Sequence, residues 1–471
     1  MTTSSSEQAK LVRVLARGDV LALAFGAMIG WGWIVLTGTA IQSAGSVGAI
    51  LAFIVGGLAI VLVGLTYAEL ASAMPKVGGE HVYSYRALGH WPSFFCTWAI
   101  ILGYLSVVAF EAVALPTVVE HLAPNYAVGH LWTIAGWEVK ATWVAVGVGG
   151  SIAMMIINYF GVSTAALLQK IVTGVILLVG VMFVTGSLFE GNTANMMPLF
   201  SQSEGSVMAG VIAVIVMVPF LFVGFDVIPQ AAEEINLPYK AIGKVLMVSV
   251  ILAVVWYSLI ILATSLALDS DAIAASSLSV PDAMERLFNA SWAGNLMVIA
   301  GIAGIITSWN AFYIGGSRAI YALANAGMLP ATFAKLHPRY RTPTNAIFLM
   351  GFLSCLAPLF GRPALVWIVN AGGLGIVLAY LFVAVSFMVL RVREPDMPRP
   401  FKVSNGKLCG TLAIILSFGM ACLYLPGSPA ALGVAEWTIL AVWALLGIGF
   451  YIHALRTYGR DYSDRHMQAD L

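Results

Sequence analysis

The chain has 471 residues, 60% of them hydrophobic and only 10% charged, with a mean hydropathy of +0.92. Soluble domains carry about 25% charged residues, so a chain of three soluble domains is excluded. A net charge of +1 gives no reason to expect nucleic acid. Cys96, Cys355, Cys409 and Cys422 form no CxxC pair and read as buried thiols.

In chain order, the start MTTSSSEQAKLVRVLARGD is polar and basic. The first apolar run after it is a full span, so no cleavable leader is expected. A bilayer core needs about 20 apolar residues per helix. Twelve such spans are expected, near 18–42, 46–74, 93–120, 141–160, 166–189, 207–229, 242–268, 292–325, 345–361, 364–391, 409–426 and 433–456. With the N-terminus inside, the alternation leaves only Lys140, Arg286 and Arg362 of the 23 lysines and arginines outside. That asymmetry follows the positive-inside rule and places both termini in the cytoplasm. No soluble domain of useful size remains, so function must lie in the bundle.

Two spans are interrupted. The first contains Gly26–Trp33, GAMIGWGW, and the sixth contains Val218–Asp226, VPFLFVGFD. Unwound backbone inside a membrane is tolerated only where it is buried in protein or lines a cavity. Interrupted helices at corresponding positions of two halves mark a transporter binding site. The separation of five spans fits a five-plus-five inverted repeat with two extra helices. A break frees N–H groups at the start of one half-helix and C=O groups at the end of the other. The amides of Gly30, Trp31 and Gly32 suit an anion, helped by a helix dipole worth roughly 0.3–1 kcal/mol. Carbonyls near Ala27 and Met28, and from Val218 to Leu221, suit an ammonium or a metal cation. The alternative is that these glycines only pack helices together, but Pro219 in the partner span favours a site.

Five stretches resemble motifs of the amino acid–polyamine–organocation family of permeases. They are GAMIGWGW, YAELASAMPKVGGEHVYSYRALG (67–89), FLFVGFDVIPQAAEEINLP (220–238), SRAIYALANAGMLP (317–330) and LRVREPDMPRPFKV (390–403). The resemblance implies an alternating-access carrier for amino acids or organic amines, with the substrate carboxylate on the Gly30–Gly32 amides. It implies Phe220 as an aromatic gate with Phe222 nearby. Thr307 and Ser308 fall where sodium-coupled relatives of this fold place hydroxyl ligands; such hydroxyls otherwise bond their own backbone. Two positions depart from the family. Trp31 stands where a small residue is common, and Ile176 stands where some proton-coupled members carry lysine. His81 replaces a tyrosine common in the family's GG-x-Y pattern, and none of the seven histidines has metal-ligand spacing.

Glu111 is the one charge between Trp91 and Val119. A charge at mid-membrane costs about 2.5–3.5 kcal/mol on insertion scales and usually marks function. It is the coupling candidate, carrying a proton or pairing with a substrate ammonium; otherwise it reaches water at the outer helix end.

The expectation is an all-α polytopic membrane protein of twelve transmembrane helices in the cell membrane. Its parts are a tail (1–17), a transport core of helices 1–10 (18–391), helices 11–12 (392–456) and a second tail (457–471). It is read as a secondary active transporter of a small amino acid or organic amine, by proton-coupled symport or exchange, with no cofactor. The alternatives are a sodium-coupled symporter, a membrane-embedded enzyme or a channel. Lys140→Cys is expected to label from outside and Arg341→Cys only from inside. Labelling of both from one side would overturn the span count or the orientation.

Overall fold

A computed structural model describes residues 11–428 and 431–470. Residues 1–10 of the expected N-terminal tail, with Lys10, lie outside the described residues. The helices are α1 (Arg17–Met28), α2 (Gly32–Ala44), α3 (Ser46–Ala73), α4 (Glu80–Leu88) and α5 (His90–Leu122). Strands β1 (His130–Ile134) and β2 (Trp137–Lys140) follow, then α6 (Ala141–Tyr159), α7 (Val162–Glu190), α8 (Val207–Phe222), α9 (Val227–Gln230) and α10 (Tyr239–Ala267). Next are α11 (Ser270–Ala275), α12 (Ser279–Phe288), α13 (Ser291–Asn325), α14 (Thr344–Leu356) and α15 (Ala364–Arg393). The chain ends with α16 (Gly406–Cys422), α17 (Val434–Thr457) and α18 (Arg460–Asp470).

Among the described residues nine helices are long and apolar enough to cross a membrane, and the bent pair α1–α2 makes a tenth. The expected spans 345–361 and 409–426 are shorter apolar helices, Thr344–Phe360 and α16. The all-α expectation is corrected at one place, where β1 and β2 pair as an antiparallel hairpin. Its two-residue turn, Ala135-Gly136, has φ of 48° and 78°. Two consecutive positive φ values give the turn twist that strand pairs favour. The Trp132 indole N–H then ties the hairpin to the Leu359 carbonyl at 2.9 Å.

The most enclosed helices are α5 and α13, and the least enclosed is α17. Packing explains the difference. α13 carries glycines and alanines where neighbours cross it, and small residues let membrane helices approach closely. α17 meets the bundle at few places, among them Trp443, stacked on Trp98 at 4.3 Å, and Tyr451, 5.0 Å from the Phe94 ring. Each of these indoles donates its N–H to the other's backbone carbonyl, at 2.9 and 3.0 Å.

One end of the bundle is held by arginine–carboxylate pairs that join the family-like motifs. Glu69, fully buried at the end of α3, accepts from Arg391 and from the Val403 amide, with Arg399 at 3.0 Å. Arg86 grips Glu394 through two hydrogen bonds. Arg318 grips Glu234 at 2.8 and 2.9 Å, and both side chains are buried. α18 docks on the same end, where Tyr85 donates to Asp464.

Removing one partner of a buried ion pair leaves an uncompensated charge and costs about 3–5 kcal/mol. Glu234→Ala should therefore lower the unfolding midpoint sharply in detergent. The double variant Arg318→Met with Glu234→Met should recover most of that loss. Equal midpoints for wild type and Glu234→Ala would show that the pair does not hold this end.

Candidate substrate site between two broken helices

α1 ends at Met28 and α2 starts at Gly32, with a bend of 43° between them. In the sixth span α8 ends at Phe222, and α9 does not begin until Val227. Pro219 lies one turn before that stop and supplies no N–H to the ladder. Gly224 then turns the chain with φ of 139°, which a side chain rarely adopts. Its missing side chain also makes room for the first break. A Cβ on Gly224 would sit 2.6 Å from the Ala27 Cβ and 3.0 Å from the Met28 amide. A Cβ on Gly32 would sit 2.3 Å from Leu221. The two unwound stretches therefore lie directly against each other.

One side chain clamps them. The Tyr257 hydroxyl of α10 donates to the Met28 carbonyl at 2.9 Å and reaches the Leu221 carbonyl at 3.4 Å. These are two of the carbonyls expected to be freed by the breaks. No local pattern marks Tyr257, because its partners lie on two distant spans.

Glu111 lies on the first break itself. A Cβ on Gly30 would be 2.5 Å from Glu111 Oε1 and 2.9 Å from Ser308 Oγ. The Ser308 hydroxyl and the Trp31 backbone N–H are the donors facing this carboxyl. Glu111 is 1% exposed, so it does not reach water at the helix end. Among the described residues its Oε2 has no hydrogen-bond partner. The protein's own carboxyl group thus occupies the start of α2, facing the Trp31 N–H.

The Trp31 indole is directed away from this point. It packs on α13 at Gly301, where a Cβ would come within 2.3 Å of the ring. The bulky residue in the amide loop is accommodated by a glycine on another helix. Phe220 meets Phe110 edge-to-face at 5.5 Å. Trp31, Phe110 and Phe220 form the floor of a cavity of about 420 Å³. Its walls are mainly apolar, among them Val35, Val216 and Leu365, and it extends to Arg362 and Asn370. Phe110 precedes Glu111 in sequence, which was the available signal for it.

The remaining expected positions divide. Phe222 packs with Phe53 and Tyr257, at 6.3 and 5.3 Å, and does not line this cavity. Val218 packs against Gly56 of α3. The Thr307 hydroxyl donates to the Gly304 carbonyl of its own helix at 2.8 Å, and its Cβ flanks Gly26. Ile176 is fully buried. The α7 side chains that meet Gly26 are Gln169 and Thr173. Gln169 donates to the Ala22 carbonyl and accepts from Asn310, which in turn accepts from Asn158. Lys170 pairs instead with Asp19 at 2.8 Å.

Comparison with known proteins gives the context for this geometry. The family model described as amino acid permease matches residues 18–451. The chain belongs to the amino acid permease family. As the resemblance implied, it is an integral membrane transporter and not an enzyme. It is similar to the branched-chain amino acid permease BcaP of Bacillus subtilis, 28% identical over 98% of this chain and 96% of that one. It is also similar to the methylthioribose transporter of the same organism, 26% identical with the same coverage. The aspartate-proton symporter of Bacillus subtilis is 25% identical over 88% of this permease and 79% of its own length.

Proposed function

We propose that this permease is a proton-coupled secondary transporter of small amino acids or organic amines in the cell membrane. It works by alternating access on a twelve-helix, five-plus-five repeat with cytoplasmic termini. The observation that carries the reading is the Glu111 carboxyl against Gly30 and the start of α2. A substrate carboxylate would seek the same amides. Once displaced, Glu111 would lose those donors, and a buried carboxyl without donors stays neutral by holding a proton. Substrate and proton then bind together, and the coupling follows from competition for one set of donors. The relative named as an aspartate-proton symporter supports a proton as the driving ion.

The cavity sets the substrate class. At about 420 Å³ it is within the usual range for small-molecule pockets, about 300–1,000 Å³. Its apolar walls favour a small apolar side chain, with polar recognition confined to the breaks. The branched-chain permease among the relatives supports that preference. Phe220, with Phe110, closes over the substrate, and the open path leads past Arg362 to the outside. A second reading uses the free Oε2 of Glu111 as acceptor for the ammonium of an organic amine. Sodium coupling has less support, because the Thr307 hydroxyl is already engaged with its own backbone.

In proteoliposomes with a pH gradient, Glu111→Gln should retain binding and exchange but lose pH-driven accumulation. Weakened binding of amines alone would favour the ammonium-pairing role. Unchanged affinity and accumulation would end both.

Gly30→Leu and Phe220→Ala should each reduce uptake at least about tenfold, equivalent to 1.4 kcal/mol, while the protein still inserts. Wild-type uptake by both would remove the broken-helix site.

A further inference from the structure

A second group of buried polar side chains lies at the opposite end from the cavity, where α4 meets α9. Glu80 of α4 accepts a hydrogen bond from the Gln230 amide. Gly79, just before it, has room for no side chain, since a Cβ would be 2.8 Å from Pro229 Cβ. Asp226, four residues before Gln230, accepts from the Gly224 amide at 2.7 Å. Tyr67 faces Glu80, and Tyr104 faces Asp226. Phe225 lies between Tyr67 and Tyr380, 5.3 and 5.4 Å from their rings. All these polar side chains are fully buried.

Their hydrogen bonding is incomplete. Among the described residues Gln230 Oε1 and the Tyr380 hydroxyl have no partner, and Glu80 Oε1 and Asp226 Oδ2 are met only by the poorly aligned hydroxyls of Tyr67 and Tyr104. Unpartnered buried polar atoms are rare and call for an explanation. Among the described residues no cation is a main electrostatic neighbour of either carboxyl. Arg318 nearby in the motif end is engaged by Glu234. His81, beside Glu80, is held by Ser93 and is pushed down to about 3 by burial and then by His90, so it is neutral at physiological pH. Tyr83 and Cys96 also face Glu80, and neither can carry a positive charge. Two neighbouring buried carboxyls without a cation cannot both stay ionised.

We propose that Glu80 and Asp226 bind one exchangeable proton between them, and that this proton latches the cytoplasmic gate shut. The proposal rests on the alternating-access reading but not on any substrate. Opening separates α4 from α9, admits water and lets the proton leave to the cytoplasm. Burial, and then the Asp226 carboxylate, raise the Glu80 carboxyl well above the usual carboxylate range. The closed gate therefore binds more protons than the open one. By linkage, low pH favours closure, and rising pH favours opening. A difference of one unit in the pair's affinity changes the closed-to-open ratio about tenfold.

The test is amide hydrogen exchange of the full-length permease in nanodiscs, without substrate, followed over residues 78–88 and 224–235. Protection, corrected for intrinsic rates, is compared between about pH 5.5 and about pH 8, where an ordinary carboxyl does not titrate. In the wild type, protection should fall as pH rises. Glu80→Gln carries a neutral isostere and should stay protected throughout. Asp226→Asn should flatten the response as well, and serves if Glu80→Gln does not fold. A wild-type gate indifferent to pH, or variants that keep the wild-type pH response, would overturn the latch. Protection that follows sodium at fixed pH would overturn it too, by making the occupant a metal cation. Uptake assays report separately on the substrate site, so either reading can fail alone.

Discussion

Backbone that leaves its helix inside a bilayer must find partners within the protein, since lipid offers none. The two breaks here meet that demand on each other. Gly224 lies against Ala27 and Met28, and Gly32 lies against Leu221. Tyr257 caps a carbonyl from each side. The same juxtaposition fixes what surrounds it. α13 must bring small residues to the crossing, and it brings Gly301 and Gly304. α5 must bring a group that suits freed amides, and it brings Glu111.

The two ends of the molecule are built from different interactions. Around the cavity, Trp31, Phe110 and Phe220 make an apolar floor with few directional contacts. At the other end, Glu69, Glu234 and Glu394 are each gripped by arginine. Paired hydrogen bonds to a guanidinium fix orientation as well as distance. Those pairs connect stretches far apart in sequence, so the motif end acts as a frame. The Glu80–Asp226 group lies at this end but lacks an arginine, which sets it apart from its neighbours.

Much of this was legible in the sequence, for definite reasons. Glycine and proline are costly in helix interiors, so their concentration at 26–32 and 219–224 exposed the breaks. Glu111 stood out because nothing else between Trp91 and Val119 is charged. What it touches could not be read, since Gly30 and Ser308 are each separated from it by more than 80 residues. The sixth span is apolar all round, so no periodicity showed that Val218 and Phe222 face α3 and α10 while Phe220 faces the cavity. The hairpin at 130–140 is short and polar-edged, and its Ala-Gly turn lacks the usual asparagine or aspartate signal. Trp31 looked misplaced until Gly301, a glycine with no local signature, was found beneath its ring.

The apolar cavity floor also has a thermal consequence. Collapsing walls such as Val35, Val216 and Leu365 onto a substrate removes apolar surface from water. That step carries a negative heat-capacity change, and its driving force weakens on cooling. Arginine–carboxylate contacts at the other end also weaken on cooling, because the ionic desolvation they cost grows as temperature falls. Cooling therefore weakens both ends, through the hydration of apolar walls at one and of ionic groups at the other.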